Sequence, residues 1–422
     1  MDDLERASDI CRGGRGAEDD KELPTVLLAL LYDTRLTVCE VSGDMAAVDD
    51  VLRLGMMLLG RTKGEEHAFM LAAHADAYCL RFQRSESPAD RDDAIEYRRR
   101  AQDAYESGPE WPKVTLELHQ QLMQRWETEE RPEDLDELIE IASALVEKHA
   151  GDELVFYLRL LTRHLWVRVN RTISAEDMDA MIDALRNLVR LIDPSDGQDL
   201  SRLCYLLSLR YRRSHAVSDL DDAVTAGRAS LEVPVSDVRQ MHVRLSNLYN
   251  ALGSLAASTG SAAAYNEAVE VAERAVGLFP EGSTDAAGPL TNLSTALWVR
   301  FRALGDSADL DRSISYGLTT FETPGLDDME RRQIGATAIV GLTLKFRRSG
   351  DEATLQQALA VIERGVDGSA AWVRSLQGLM SAVAHHIELA SGRESRAGED
   401  PQRIRRHSSR FTRLCSGSTN AL

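Results

Sequence analysis

The chain has 422 residues, 43% of them hydrophobic, 28% charged and only 5% aromatic, which fits a folded protein whose core is built mostly from aliphatic side chains. Its formal net charge of −19 argues against nucleic acid and anionic membrane surfaces as partners. No run approaches the roughly 18 apolar residues of a membrane-spanning helix, and the five cysteines, at 11, 39, 79, 204 and 415, are scattered without a CxxC spacing, as expected of reduced thiols in the cytoplasm.

Residues 1–22 are charged and carry the stretch CRGGRG. They lack the basic and apolar regions of a secretory signal and are expected to form a mobile leader. Gly13-Gly14-Arg15-Gly16 precedes no strand–helix unit, so it carries no phosphate-loop signal. From 23 to 390 one pattern recurs: an apolar residue, an anchor that is usually Asp, a variable residue, a small one and another apolar one. The anchors are Asp49, Asp92, Asp136, Asp179, Asp221, Asn266, Asp311 and Gln356, spaced 43, 44, 43, 42, 45, 45 and 45 apart. Eight copies at this period are the signature of a repeat array in which each unit is one supersecondary element.

One copy reads as two helices. Leu290, Leu293 and Leu297 share a face from Pro289 to about Ala303, Gly305-Asp306 interrupts, and Leu310, Ile314, Leu318 and Phe321 line a second helix from Ser307. Ser87, Ser174 and Ser218 read as N-caps with an acid three residues on. Second helices are expected to end near Pro109, Pro194, Pro234, Pro280 and Pro324. Small residues at Ala101, Ser230, Ala275, Thr320 and Gly365 allow close helix approach, whereas Leu58, Leu145 and Leu188 at that position imply wider packing. First helices end in a basic–aromatic signature: Arg81-Phe82, Arg125-Trp126, Arg168-Val169, Arg210-Tyr211, Arg300-Phe301 and Lys345-Phe346, with Val38-Cys39 and Leu255-Ala256 departing from it. The expected role is an aromatic plug with a basic residue complementing the helix C-terminus; the alternative is a basic ladder for an acidic ligand. A ninth first helix, Ala371 to about Ala390, would cap the array. Residues 391–422, with seven Arg and three acids, form a basic tail expected to be disordered or to tether an acidic face.

Leu245 to Leu252 and Leu290 to Leu297, with Ala268, Ala275 and Pro280 after the first of them, resemble tetratricopeptide repeats. The copies exceed the usual 34 residues or so. Their length, Arg-Phe ending and Gly-Asp turn resemble the long repeats found beside CHAT-type caspase-like protease domains, mainly in actinobacteria and fungi. The resemblance covers roughly 24–390 and is best in 236–367. It implies an all-α right-handed superhelix of about eight helix pairs whose first helices line a concave, protein-binding side. No His and Cys pair set in strands suggests an attached protease.

The sequence holds no HExxH, Walker, GxGxxG or GxSxG motif, and no cofactor or metal is expected. His67 and His74, seven apart, and the adjacent His385-His386 read as ordinary helix residues. On the first helices, Asn292, Thr295, Val299 and Arg302 share a stripe, Asn247 and Asn250 occupy it in the preceding copy, and Arg202, Arg212 and Arg347 fall at corresponding positions. Amides and guanidinium groups suit peptide backbone and carboxylates. Asn250 and Asn292 resemble part of a carboxylate clamp, although Ser246, Gln333 and Thr337 stand where its basic partners would be. The expected function is a non-catalytic scaffold holding a protein or peptide; the alternative is a small-molecule sensor or enzyme with a pocket between repeats.

Overall fold

The computed structural model describes residues 25–42, 45–106, 108–192, 196–323, 328–365, 374–375 and 377–385. Among them the protein is all-α, without a strand. Its helices follow in pairs: α1 (Thr25–Ser42) and α2 (Met45–Leu59), α3 (Gly64–Ser85) and α4 (Pro88–Tyr105), α5 (Trp111–Glu129) and α6 (Pro132–Lys148), α7 (Asp152–Thr172) and α8 (Ala175–Leu191), α9 (Gly197–Ser214) and α10 (Val217–Glu232), α11 (Val238–Thr259) and α12 (Ala262–Val276), α13 (Ala287–Leu304) and α14 (Ser307–Glu322), α15 (Asp328–Ser349) and α16 (Glu352–Gly365). The eight pairs match the eight anchors, each anchor lying in the first turns of an even-numbered helix. The chain divides into two compact units after Ala184, inside α8.

What makes each of the last seven pairs a hairpin is visible in the backbone. Glu86, Glu130, Ile173, His215, Gly260, Gly305 and Gly350 all have positive φ, between 50° and 90°. Each stands six residues before its anchor. Each donates its N–H to the carbonyl four residues back, those of Phe82, Trp126, Val169, Tyr211, Ala256, Phe301 and Phe346, at 2.8–2.9 Å. This left-handed residue closes the first helix and turns the chain into the second. Three copies use glycine, which adopts the conformation without steric cost; four do not.

The apolar residues flanking the anchors are buried as their spacing requires, among them Leu135 and Ile139, Leu220 and Val224, Leu310 and Ile314, and Leu355 and Leu359. Ala101, Ser230, Ala275 and Thr320 are buried too, and so are Leu58, Leu145 and Leu188. Gly227 shows how close the approach is: a Cβ there would lie 2.9 Å from Leu248 Cδ1 and 3.1 Å from Cys204 Sγ, so α10 contacts α11 and α9 without room for a methyl group. In the first unit Ile95, Leu118, Leu122, Leu138 and Leu145 centre one core cluster. In the second, Phe301, Ile314, Ile339, Leu359 and Ile362 continue into residues 377–385, which are helical and place Leu379 and Ala382 in the same cluster.

Of the expected serine caps, Ser174 forms one, its Oγ accepting from Asp177 N–H at 3.4 Å; the other two are corrected, since Ser87 stands at the N-cap of α4 without a side-chain cap bond and Ser218 lies inside α10, whose N-cap is Ala216. The nearby acids have other partners, described below. Further side-chain caps occur at Asp196, Asp237, Ser261 and Asp306. The helix ends expected at Pro194 and Pro324, the leader 1–22 and the tail 391–422 lie outside the described residues.

Candidate interaction surfaces

The basic residue of each first-helix signature neither complements a helix C-terminus nor forms a ladder for a ligand. Arg125 donates from Nε and Nη2 to both oxygens of Asp134 at 2.9 and 2.5 Å, and from Nη1 to Asp92 at 2.7 Å. Asp134 lies two residues before its own anchor and Asp92 is the anchor of the preceding copy. Arg168 does the same with Asp177 and Asp136, and Arg81 donates from Nε and Nη2 to Oδ1 of Asp90 and from Nη1 to Asp49. In the second unit Arg210 grips Asp219, Arg300 grips Asp309 and Asn266, and Lys345 pairs with Asp311. The carboxylates two residues before the anchors are buried. A planar guanidinium thus ties the two helices of one copy together and, with its third nitrogen, reaches the copy before. The departures obey the same rule: Val38 is matched by Ala47 and Leu255 by Ala264, so arginine and its buried partner are absent together. These cations are internal fasteners.

The predicted stripe residues all lie on first helices of the second unit. Asn250, Arg212 and Arg302 are exposed, and Asn292 is half-buried. Asn247 is engaged within the protein: its amide donates to Ser201 O and Oγ at 3.2 and 2.9 Å, joining α11 to α9. Arg202 lies 3.5 Å from Asp199, and Arg347 donates to Ser381 Oγ. Arg202, Asn247 and Asn292 share one register, nineteen residues before their anchors; Asn250 sits one turn further on, and Arg212, Arg302 and Arg347 share the last turn. Among the described residues Arg212 and Arg302 make no ion pair, which leaves two free guanidinium groups at equivalent positions of α9 and α13.

A second surface lies in the first unit, where sequence reading had pointed to nothing. A cavity of about 1020 Å³ opens between α1, α3 and the turn from α4 to α5. Leu58, Met70 and Tyr32 form a buried floor, with Ala29 and Tyr105 partly buried beside them. The Tyr32 hydroxyl donates to Ala73 O at 2.7 Å, fixing α1 on α3. Around the opening stand Asp33, Glu65, Glu66, Glu106 and Glu110, with Phe69 61% exposed among them. Local structure accounts for three of them, since Glu65 and Glu66 occupy the first turn of α3 and Glu110 stands at the start of α5, near positive helix ends; Asp33 lies within α1 and Glu106 follows α4. Their convergence on one apolar opening is a product of the tertiary fold. Burial, with Glu110 and Glu65 the nearest charges, raises the Tyr105 hydroxyl pKa.

No protein-family model and no curated protein matches this chain. Solved structures do. One is the C-terminal part of a TPR repeat-containing protein from Cytophaga hutchinsonii, 11% identical, covering 76% of this chain and 99% of its own at a TM-score of 0.36. Another is the human IFIT1 dimer with PPP-AAAA, 12% identical, covering 88% of this chain and 92% of its own at 0.34. A third is the TPR2AB-domain:pHSP90 complex of yeast Sti1, 14% identical, with 75% and 99% covered at 0.30. This chain resembles tetratricopeptide-like helical-repeat proteins. At these identities and TM-scores no function is carried over from them.

Two features of this repeat protein escaped the sequence. His119 and His164, on α5 and α7, are buried with their Nε2 atoms 2.8 Å apart, so one nitrogen donates and the other accepts. Burial holds both neutral, lowering His119 to about 4 and His164, which also feels His119, to about 3. They stand 17 and 15 residues before their anchors Asp136 and Asp179, two residues out of register, so the repeat spacing did not single them out. His74 is buried against Gly55, Tyr78 and Tyr97, with neither ring nitrogen hydrogen-bonded, and burial lowers it to about 4. His67 Nδ1 meets Thr62 Oγ1 at 3.3 Å. His386 lies outside the described residues. No group of three or more potential ligands is placed to hold a metal ion among the described residues, and no helix there is long and apolar enough to cross a membrane.

Proposed function

We propose that the protein is a non-catalytic interaction scaffold that holds a protein or peptide partner along the first helices of its second unit, in the cytoplasm. The observation that carries this reading is the division of labour among its cations. Where the recurring Arg is present it is fastened to a buried aspartate, as at Arg210 and Arg300, whereas Arg212 and Arg302 stand exposed and without an ion pair among the described residues at one register, with Asn250 and Asn292 nearby in the same helix series. Guanidinium and amide groups together suit an extended peptide with acidic side chains or a terminal carboxylate.

The test is capture of a stoichiometric partner by the full chain, after mild cross-linking in the native cell, compared with the double variant Asn292→Ala, Arg302→Glu and with Arg212→Glu. Loss of that partner, with the helical circular dichroism unchanged, supports the scaffold. Retention of the same partner at the same occupancy by both variants rejects this surface.

A further inference from the structure

We infer that the cavity between α1, α3 and the α4–α5 turn is a binding site for a cationic peptide segment whose arginine or lysine side chains are interleaved with apolar ones. This site is separate from the second-unit surface and does not depend on it. Five carboxylates surround the opening, and among the described residues no lysine or arginine lines it; Arg61 and Lys63 flank Thr62 in sequence, yet neither is part of the lining. Elsewhere in the first unit several acids are neutralised, Asp76 and Glu117 by Arg98, Glu137 by Arg99, and Asp49, Asp90, Asp92 and Asp134 by the fasteners, while others such as Asp103, Glu140 and Glu147 stand singly on helix surfaces. Asp33, Glu65, Glu66, Glu106 and Glu110 make no ion pair with any described residue. What sets these five apart is that they surround a cavity with an apolar floor and an exposed phenylalanine.

The chemistry of the occupant follows from what each alternative would meet there. An anion would be repelled. A purely apolar ligand would cover Phe69, Met70 and Tyr105 but strip water from unpaired carboxylates, which is unfavourable. A cationic side chain satisfies the carboxylates and stacks on an aromatic face, an arrangement this unit already uses where Lys148 Nζ lies 3.6 Å over Trp111 and Arg100 lies 5.1 Å over Tyr97. At about 1020 Å³ the cavity is too large for one such side chain and takes several neighbouring residues, which selects a peptide over a single small cation.

The experiment is fluorescence anisotropy with a fluorescein-labelled heptapeptide alternating arginine with leucine and phenylalanine, titrated with the full chain. A cavity variant carries Glu65→Gln, Glu66→Gln and Glu110→Gln. A control variant removes equal charge from the second unit by Glu232→Gln, Glu270→Gln and Glu281→Gln. Wild type and control are expected to bind saturably, while the cavity variant and Phe69→Gln bind at least about tenfold more weakly, and the peptide with glutamine for arginine fails to bind. The three substituted acids of the cavity variant and Phe69 are all exposed, so thermal melting should be unchanged. Equal weakening in cavity and control variants would reduce the effect to bulk charge and overturn the site. So would absence of saturable binding, or competition by arginine amide as effective as by the peptide. A photo-crosslinking form of the peptide on the wild-type chain is expected to label α1, α3 or the α4–α5 turn, and labelling elsewhere rejects the assignment without any variant.

Discussion

Ile173 closes α7 at φ 52° with its side chain 70% exposed, a β-branched residue in the left-handed region that Gly260, Gly305 and Gly350 fill in later copies. The branched Cβ crowds the following carbonyl there, at a cost of roughly 1–2 kcal/mol. Ile173→Gly is expected to raise stability by about 1 kcal/mol, the steric relief less the added chain entropy. A shift of the urea midpoint upward at unchanged slope checks it; a downward shift would mean that Ile173 contributes packing its exposure does not show. The turn was legible in the sequence where it reads Gly-Asp, and illegible where Glu86, Glu130, Ile173 or His215 stands, because the fold imposes the conformation on residues that do not advertise it.

At the level of the helix pair, the fastener makes a sharper prediction. Arg125 and Asp134 are both buried, with three hydrogen bonds running from the guanidinium to Asp134 and Asp92. Removing one partner strands a buried charge, so Arg125→Leu alone should destabilise by about 3–5 kcal/mol. The double change Arg125→Leu, Asp134→Ala installs the solution found at Leu255 and Ala264, and should recover most of that loss. Denaturant unfolding of the two single variants and the double variant measures the coupling; additive losses would show that the two side chains do not act as a pair. The Arg-Phe signature was plain in the sequence, yet its partner was misread, because the helix C-terminus is the nearest negative end along the chain whereas the true acceptor is brought up by the turn. The joint absence of Arg and Asp in two copies was the clue that sequence alone offered.

At the scale of the whole molecule the buried histidines distinguish the units. His74, His119 and His164, all in the first unit, are lowered from 6.5 to about 4, 4 and 3 by burial. Unfolded, they take up protons near pH 6.5; folded, they do not until far lower. The unfolded state therefore binds more protons in between, and stability is complete above about pH 7 and declines as pH falls from 6.5 towards 4. In the second unit burial also lowers His242. Hydrogen exchange between pH 7 and pH 4, corrected for the intrinsic rate, is expected to show α3, α5 and α7 losing protection before α11 and α13. Replacing His119 and His164 together by a Gln and Leu pair should flatten that dependence, and an unchanged profile would remove these residues from the explanation.

The sequence by itself determined the hairpin repeat, its eight copies, the helix boundaries to within a few residues and the apolar pairs around each anchor. All of these follow from periodicity and local stereochemistry, which act between residues close along the chain. Tertiary structure alone decided which charges are neutralised. Asn247 looked free and is held by Ser201, Arg125 looked like a cap and is a fastener, and five acids from three separate segments gather unpaired around one apolar opening. Each carboxylate is ordinary where it stands in the chain. Their meeting depends on how α1, α3 and the α4–α5 turn pack, and electrostatic partnership is set by distance in space, which sequence spacing does not encode.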